Sequence, residues 1–226
     1  MKFQAAIFDM DGLLLDTERV CLTVFEEACH AVGIPFLRDV YLSVIGRNAA
    51  GIEQALKAGY GSQLDYPTLH KEWRQRYNAV VKHQAIPVKA GVIELLQWLK
   101  AHKIPTAVAT STQKEIASIK LRLAQIDHYF DSLTTGCEVT HGKPDPEIYL
   151  LAAKRLGVAP TQCVAFEDSN NGVRSAMGAQ MLTFQIPDLV EPNEEIRALG
   201  HHIRPSLIQV LNELKQHSSF HTKVEP

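Results

Sequence analysis

The chain has 226 residues, with 23 Lys+Arg against 25 Asp+Glu for a formal net charge of -2, and 46% of its residues are hydrophobic. That length suits one large domain or a core with an insertion, and that composition can bury a core and argues against disorder. The charge balance does not suggest a nucleic-acid-binding surface, and four cysteines without a CxxC pair suggest neither a disulfide scaffold nor a zinc site.

The opening stretch, MKFQAAIFDMDG, puts acidic residues directly after a short apolar run, which is wrong for a secretory signal. No apolar stretch is long enough to span a bilayer, so a soluble, cytoplasmic setting and no membrane partner are expected. Phe3 to Phe8 predicts a short strand with no polar residue between Ala5 and Phe8, as for a strand covered on both faces. Thr17 is placed to cap the following helix. There Val20, Val24, Ala28 and Ala31 recur on one face until Gly33 and Pro35 stop it. Residues from about 38 to 83 read as helical throughout. Ile52, Ala55 and Leu56 share one side of a short helix, and Leu69, Trp73, Tyr77 and Val81 recur every four residues after Pro67. This stretch predicts a small all-helical insertion after the first strand.

The pattern changes at Ile86-Pro87. A helix around Val92, Leu95, Leu96 and Leu99 precedes a second apolar strand, Pro105 to Ala109, and a helix from about 113 to 125. Phe130 to Leu133, Cys163 to Phe166 and Met181 to Phe184 are further strand candidates. Helices over Pro146 to Leu156 and Gly172 to Met177 fall between them, and the last ten residues, from His217, read as a loose tail. This alternation predicts an α/β fold whose mostly parallel sheet has helices on both faces, with ligands bound at the carboxyl edge of the strands.

Four polar clusters fall at that edge. In FDMDG, Asp9 and Asp11 end the first strand; they share a side if the chain stays extended, while a turn through Gly12 is equally open. Two carboxylates this close call for a proton or a cation, and oxygen ligands suit magnesium. In ATST, the Thr110 hydroxyl and the following backbone N–H groups suit an anionic oxygen, although a Ser/Thr run before a helix also serves simply as a cap. In HGKPDPEIY, Lys143 is a directed positive charge suited to phosphate. In FEDSNNG, Glu167 and Asp168 end another strand, and Ser169 or Asn170 can cap the next helix. Singly, each cluster also reads as ordinary strand-end polarity. Together they supply what phosphoryl transfer by an aspartate needs: an attacking carboxylate, a second one for the proton, and cations for the phosphoryl oxygens.

With these motifs in this order, the chain resembles the haloacid dehalogenase-like superfamily, over about residues 3 to 215. The helical insertion resembles the small cap of the subgroup containing phosphoglycolate phosphatase, beta-phosphoglucomutase and 2-deoxyglucose-6-phosphate phosphatase. The resemblance implies a Rossmann-like core over 1–16 and 86–216, a helical cap over 17–85 and a tail over 217–226. It implies Asp9 as nucleophile, Asp11 as acid and base, and Thr110, helped by the backbone at Ser111, as the group holding the phosphoryl. It implies that Lys143 neutralises Asp9 and phosphate. Magnesium would be held by Asp9, Asp168, the main chain of Asp11, and Glu167 directly or through water.

The expected function is hydrolysis of small phosphate monoesters, sugar phosphates foremost, with a small phosphorylated metabolite as the partner. Asp11 disfavours dehalogenation, because the dehalogenases of the superfamily lack it. A first cap helix without lysine, from Glu18 to Ala31, disfavours phosphonate cleavage. A phosphosugar mutase is the main alternative; its cap histidine is replaced here by Cys21. A non-catalytic phospholigand-binding protein is another. Arg47, in IGRNAAG, and Glu18 are the cap candidates for substrate contact.

Overall fold

A computed structural model describes residues 3–45 and 49–219. Among the described residues six strands form one sheet: β1 (Ala5–Phe8), β2 (Thr106–Thr110), β3 (Ser132–Thr135), β4 (Cys163–Glu167), β5 (Leu182–Gln185) and β6 (His202–Ile203). All pairings are parallel, in the order β3-β2-β1-β4-β5-β6. The strand order therefore reverses between β1 and β4, the place where such sheets open a crevice at their carboxyl edge.

The alternation along each strand decides the two faces. Ala6, Phe8, Val108, Val164, Phe166 and Phe184 point to one side, where Phe8 stacks on Phe166 at 4.6 Å between ring centroids. Helices α5 (Val92–Ala101), α6 (Lys114–Leu123) and α10 (Leu207–Ser219) cover that side. The other side presents Ala5, Ile7, Ala107, Ala109, Cys163 and Ala165. Small side chains there let α7 (Glu147–Leu156) and α8 (Asn170–Gly178) lie close to the strands, with Tyr149 fully buried against them. A short α9 (Glu194–Arg197) precedes β6.

Between β1 and β2 lie α1 (Thr17–Val32), α2 (Arg38–Val44), α3 (Ala49–Tyr60) and α4 (Tyr66–His83). They bury a core of their own around Phe25, Cys29, Tyr41, Leu56 and Leu69, and Trp73 meets the edge of Phe25 at 4.9 Å. The chain leaves and rejoins the sheet domain side by side. The Asp16 N–H donates to the Pro87 carbonyl at 2.9 Å, the Lys89 N–H to the Leu14 carbonyl at 3.0 Å, and Leu15 pairs antiparallel with Val88. Asp188, its side chain 5% exposed, takes an ion pair from Lys89 at 2.6 Å and another from Arg19 of α1 at 3.2 Å.

The parallel sheet with helices on both faces and the all-helical insertion match the sequence reading, and three local expectations need correction. Thr17 does not cap α1: Asp16 takes the N-cap position, and the Thr17 hydroxyl is buried without a hydrogen-bond partner among the described residues. Asp16 is pinned by its backbone to Pro87, so the helix starts at Thr17 itself. The third strand is Ser132–Thr135 rather than Phe130 to Leu133, because Phe130 ends a 3-10 turn and packs edge-on against Phe8. Helix α10 runs to Ser219, past the expected start of the tail at His217. Among the described residues no helix is long and apolar enough to cross a membrane.

Candidate active site

The carboxyl ends of β1, β2 and β4 converge on a cavity of about 420 Å³. Asp9, Asp11, Thr110, Ser111, Lys143 and Asp168 line it from the sheet domain, and Glu18 lines it from α1. Glu167 lies behind them, fully buried. Arg47 lies outside the described residues.

Strand β1 stops at Phe8, so Asp9 and Asp11 are set by a turn and not by an extended run. Gly12 makes that turn at φ +86°, a conformation side-chain-bearing residues rarely adopt. A Cβ on Gly12 would also collide with the Asp168 carboxylate, and one on Gly172 with that of Glu167. Gly12 lets the loop after β1 approach the loop after β4, and Gly172 leaves room for the Glu167 carboxylate within the latter. We expect Gly12→Ala to cost about 1–3 kcal/mol in urea unfolding, from backbone strain plus displacement of Asp168. A variant as stable as the parent would show that the close approach is unimportant.

Lys143 reaches in from the loop before α7. Its ammonium donates to Asp9 Oδ1 at 2.5 Å, to Glu167 Oε1 at 2.5 Å and to the Ala109 carbonyl at 3.0 Å. Burial alone would lower its pKa, but Asp9 and Glu167 outweigh burial and hold it above the ordinary lysine value. Glu167 is committed at both oxygens. Oε1 also accepts from the Tyr149 hydroxyl at 2.8 Å, and Oε2 from the Ser169 hydroxyl at 3.1 Å. Ser169 at the same time accepts from the Gly172 N–H at 3.0 Å, so of the two expected caps of α8 it is Ser169 that serves. Thr110 is buried at the end of β2, where its hydroxyl accepts from the Thr112 N–H at 3.1 Å. The Ser/Thr run is no helix cap, because Gln113 takes the N-cap position of α6.

Asp9, Glu167 and Asp168 bring carboxylate oxygens within 4.8 Å of one another. Burial pushes Asp9 up to about 7, against the pull of Lys143, and Glu167 and Asp11 raise it further. Burial and the charges of Asp9 and Glu167 hold Asp168 well above the carboxylate range. One ammonium is too little positive charge for three carboxylates. An all-oxygen donor set with excess negative charge fits a hard divalent cation such as magnesium. At the mouth, burial pushes Glu18 up to about 7, with Asp11 and Asp188 adding to the effect. Burial pushes the Cys21 thiol up to about 12, so it is not a reactive thiolate.

Sequence reasoning missed Tyr149, which holds Glu167, and also Lys120. Lys120 sits among Ile116, Ala117, Leu121 and Ala124 on the apolar side of α6, and a lysine in that stripe is the signal that could have found it.

A sequence model of the haloacid dehalogenase-like hydrolases matches residues 3–180. The phosphorylated carbohydrates phosphatase of Thermotoga maritima is 34% identical over 180 residues, covering 78% of this chain and 81% of that protein. The fructose-1-phosphate phosphatase YqaB of Escherichia coli is 31% identical over 180 residues, covering 80% of this chain and 94% of that protein. Among solved structures, that of CbbY from Rhodobacter sphaeroides in complex with phosphate superposes with a TM-score of 0.70 at 27% identity. It covers 92% of this chain and 96% of that one.

Proposed function

The chain belongs to the haloacid dehalogenase-like hydrolases, and from that premise we propose that it is a magnesium-dependent phosphatase of small phosphate monoesters, sugar phosphates foremost. The observation that carries this reading is Asp9, at the end of β1, with Lys143 on one oxygen and the Glu167–Asp168 pair beside it.

In this reading Asp9 attacks phosphorus, and the bond to the leaving oxygen breaks as Asp11 gives that oxygen a proton. Asp11 then takes a proton from water, whose oxygen attacks the aspartyl-phosphate, releasing inorganic phosphate and restoring Asp9. The Thr110 hydroxyl, fixed from behind by the Thr112 N–H, is free to donate to the phosphoryl group, and the Ser111 backbone can add a second donor. Lys143 offsets charge on Asp9 and the phosphoryl oxygens. Asp9 and Asp168, with the main chain of Asp11, would hold magnesium, which supplies charge neutralisation at the phosphoryl group. Glu167, already engaged by the Lys143 ammonium, the Tyr149 and Ser169 hydroxyls and the Ser169 N–H, would act through water and as the support of Lys143. Glu18 from the cap would meet the leaving group, and Arg47 is retained as a second cap contact. Sugar phosphates rank first because the named activities of two relatives concern phosphorylated carbohydrates and fructose 1-phosphate.

The test is phosphate release from a panel of sugar phosphates and small phosphorylated metabolites with magnesium. Fructose 1-phosphate and 2-deoxyglucose 6-phosphate belong in it, as does beta-glucose 1-phosphate with a trace of the 1,6-bisphosphate. Release from one or more monophosphates is expected. Conversion of glucose 1-phosphate to glucose 6-phosphate without phosphate loss would instead make the chain a mutase, and binding without turnover of any ester would make it a phospholigand-binding protein. Excess chelator is expected to stop turnover and added magnesium to restore it; full activity in chelator would sink the metal assignment.

A further inference from the structure

Lys120 is a buried cation for which the chemistry above has no use. It projects from α6 with its side chain only 2% exposed, between positions occupied by Ala117 and Leu121. Burying an ammonium is costly unless its partners make up for it, and an apolar side chain would pack there with less difficulty. Its partners are specific. The ammonium donates to Asp11 Oδ1 at 2.7 Å and to the Tyr77 hydroxyl at 2.9 Å, and lies 5.3 Å from the centroid of the Tyr77 ring. The other oxygen of Asp11 accepts from the Thr112 hydroxyl at 2.6 Å. Asp11 and Lys120 belong to the sheet domain, whereas Tyr77 comes from α4 of the helical insertion.

Two buried ammoniums thus divide the carboxylates between them. Lys143 takes Asp9 and Glu167, and Lys120 takes Asp11. Without Lys120, one oxygen of Asp11 would lose the cation that fixes it, and the Thr112 hydroxyl would hold only the other. Lys120 stays charged in this setting, because Asp11 and Tyr77 outweigh the effect of its burial.

The geometry points to Lys120 as the positioning residue of Asp11, anchored in turn by Tyr77, so that Asp11 is held in its working pose when the cap is seated over the site. This rests on the reading of Asp11 as the acid and base of phosphoryl transfer.

Rapid-mixing kinetics on two esters separate this role from a structural one. In 4-nitrophenyl phosphate the leaving group departs without a proton. A hexose phosphate (fructose 1-phosphate or glucose 6-phosphate, whichever the wild type turns over faster) needs one. Lys120→Met is expected to slow single-turnover transfer from the hexose phosphate by about 100-fold, yet leave the nitrophenolate burst within about threefold of wild type. The steady state after the burst should also slow, because hydrolysis of the phosphoenzyme uses Asp11 as base. Tyr77→Phe, which keeps the ring and removes only the hydroxyl, should lower the hexose phosphate rate by roughly three- to tenfold and spare the burst.

Equal losses on both esters, or no loss on either, would overturn the assignment. Tyr77→Phe decides by the same ratio if Lys120→Met does not fold, and a Tyr77→Phe enzyme like wild type on both esters would remove the link to the cap. A wild type with no burst and no trapped phosphoenzyme fails one step earlier: it defeats the aspartyl-phosphate reading, and this inference with it.

Discussion

Asp9→Asn is expected to lower turnover by at least about 10⁴-fold, because an amide cannot form the acyl-phosphate bond on which both half-reactions depend. The variant should nonetheless fold as well as its parent in metal-free buffer. Asp9 is one of three crowded carboxylates, and burial raises its pKa to about 7. A carboxyl whose folded pKa lies above its unfolded one favours the native state most when protonated. Its ionisation therefore costs stability as pH rises from the ordinary aspartate range through about 7. Asparagine avoids that cost, and its amide oxygen still accepts from Lys143. At pH 8 without magnesium, the melting temperature of Asp9→Asn should equal or exceed that of the parent. With magnesium the parent should gain and the variant should not, since binding stabilises only the state that binds. Phosphate release above about 1% of the parent rate would defeat the nucleophile assignment. A much lower melting temperature in metal-free buffer would defeat the account of carboxylate crowding.

Lys143→Met is expected to fail in the opposite way. The ammonium bridges Asp9 and Glu167, and Glu167 is fully buried. Removing one partner of a buried ion pair strands the other and costs about 3–5 kcal/mol. Urea unfolding should show that loss, together with a fall in turnover of about 10³-fold or more as the phosphoryl oxygens lose a cation. Adding Glu167→Gln removes the stranded charge while keeping an acceptor for the Tyr149 hydroxyl, so the double variant should recover much of the stability and none of the activity. Recovery of both would mean that Lys143 serves the fold alone. A single variant as stable as its parent would mean that Glu167 is not held as a buried carboxylate.

The strands most legible in the sequence are those whose burial is most complete. AAIF, TAVAT and CVAFE lie in the middle of the sheet with every residue buried, so an unbroken apolar run marks them. Toward the edges the signal fades. Strand β3 is SLTT and β6 only His202–Ile203, each with partly exposed residues, and neither composition separates a strand from a loop. The candidate residues were legible because each follows such a run or opens a helix, and the parallel topology carries those positions to one edge. What supports them was not. Tyr149 looks like any buried aromatic of α7, and only the packing of that helix onto alanine-lined strands brings its hydroxyl to Glu167. Lys120 stands out in the sequence only as a lysine in an apolar stripe, and its bond to Asp11, which spans 109 positions, does not show there. Thr17 misled because the chain crossing at Asp16–Pro87, a contact between distant segments, decides where α1 begins.

That crossing also bears on how such a protein can change. The two chain segments that tie the helical insertion to the sheet domain run side by side, already hydrogen-bonded to each other through Leu14, Asp16, Pro87 and Lys89. The seam is closed before any helix is counted, and the entropy of closing a loop grows only slowly with the length spliced into it. A cassette of different size and shape could therefore be transplanted between the same two ends without shifting β1 against β2. If the insertion meets the leaving group as proposed, substrate choice is free to drift in the cassette while the acidic edge stays fixed. On the role inferred for Lys120, the graft works best when some hydroxyl arrives where Tyr77 now meets Lys120.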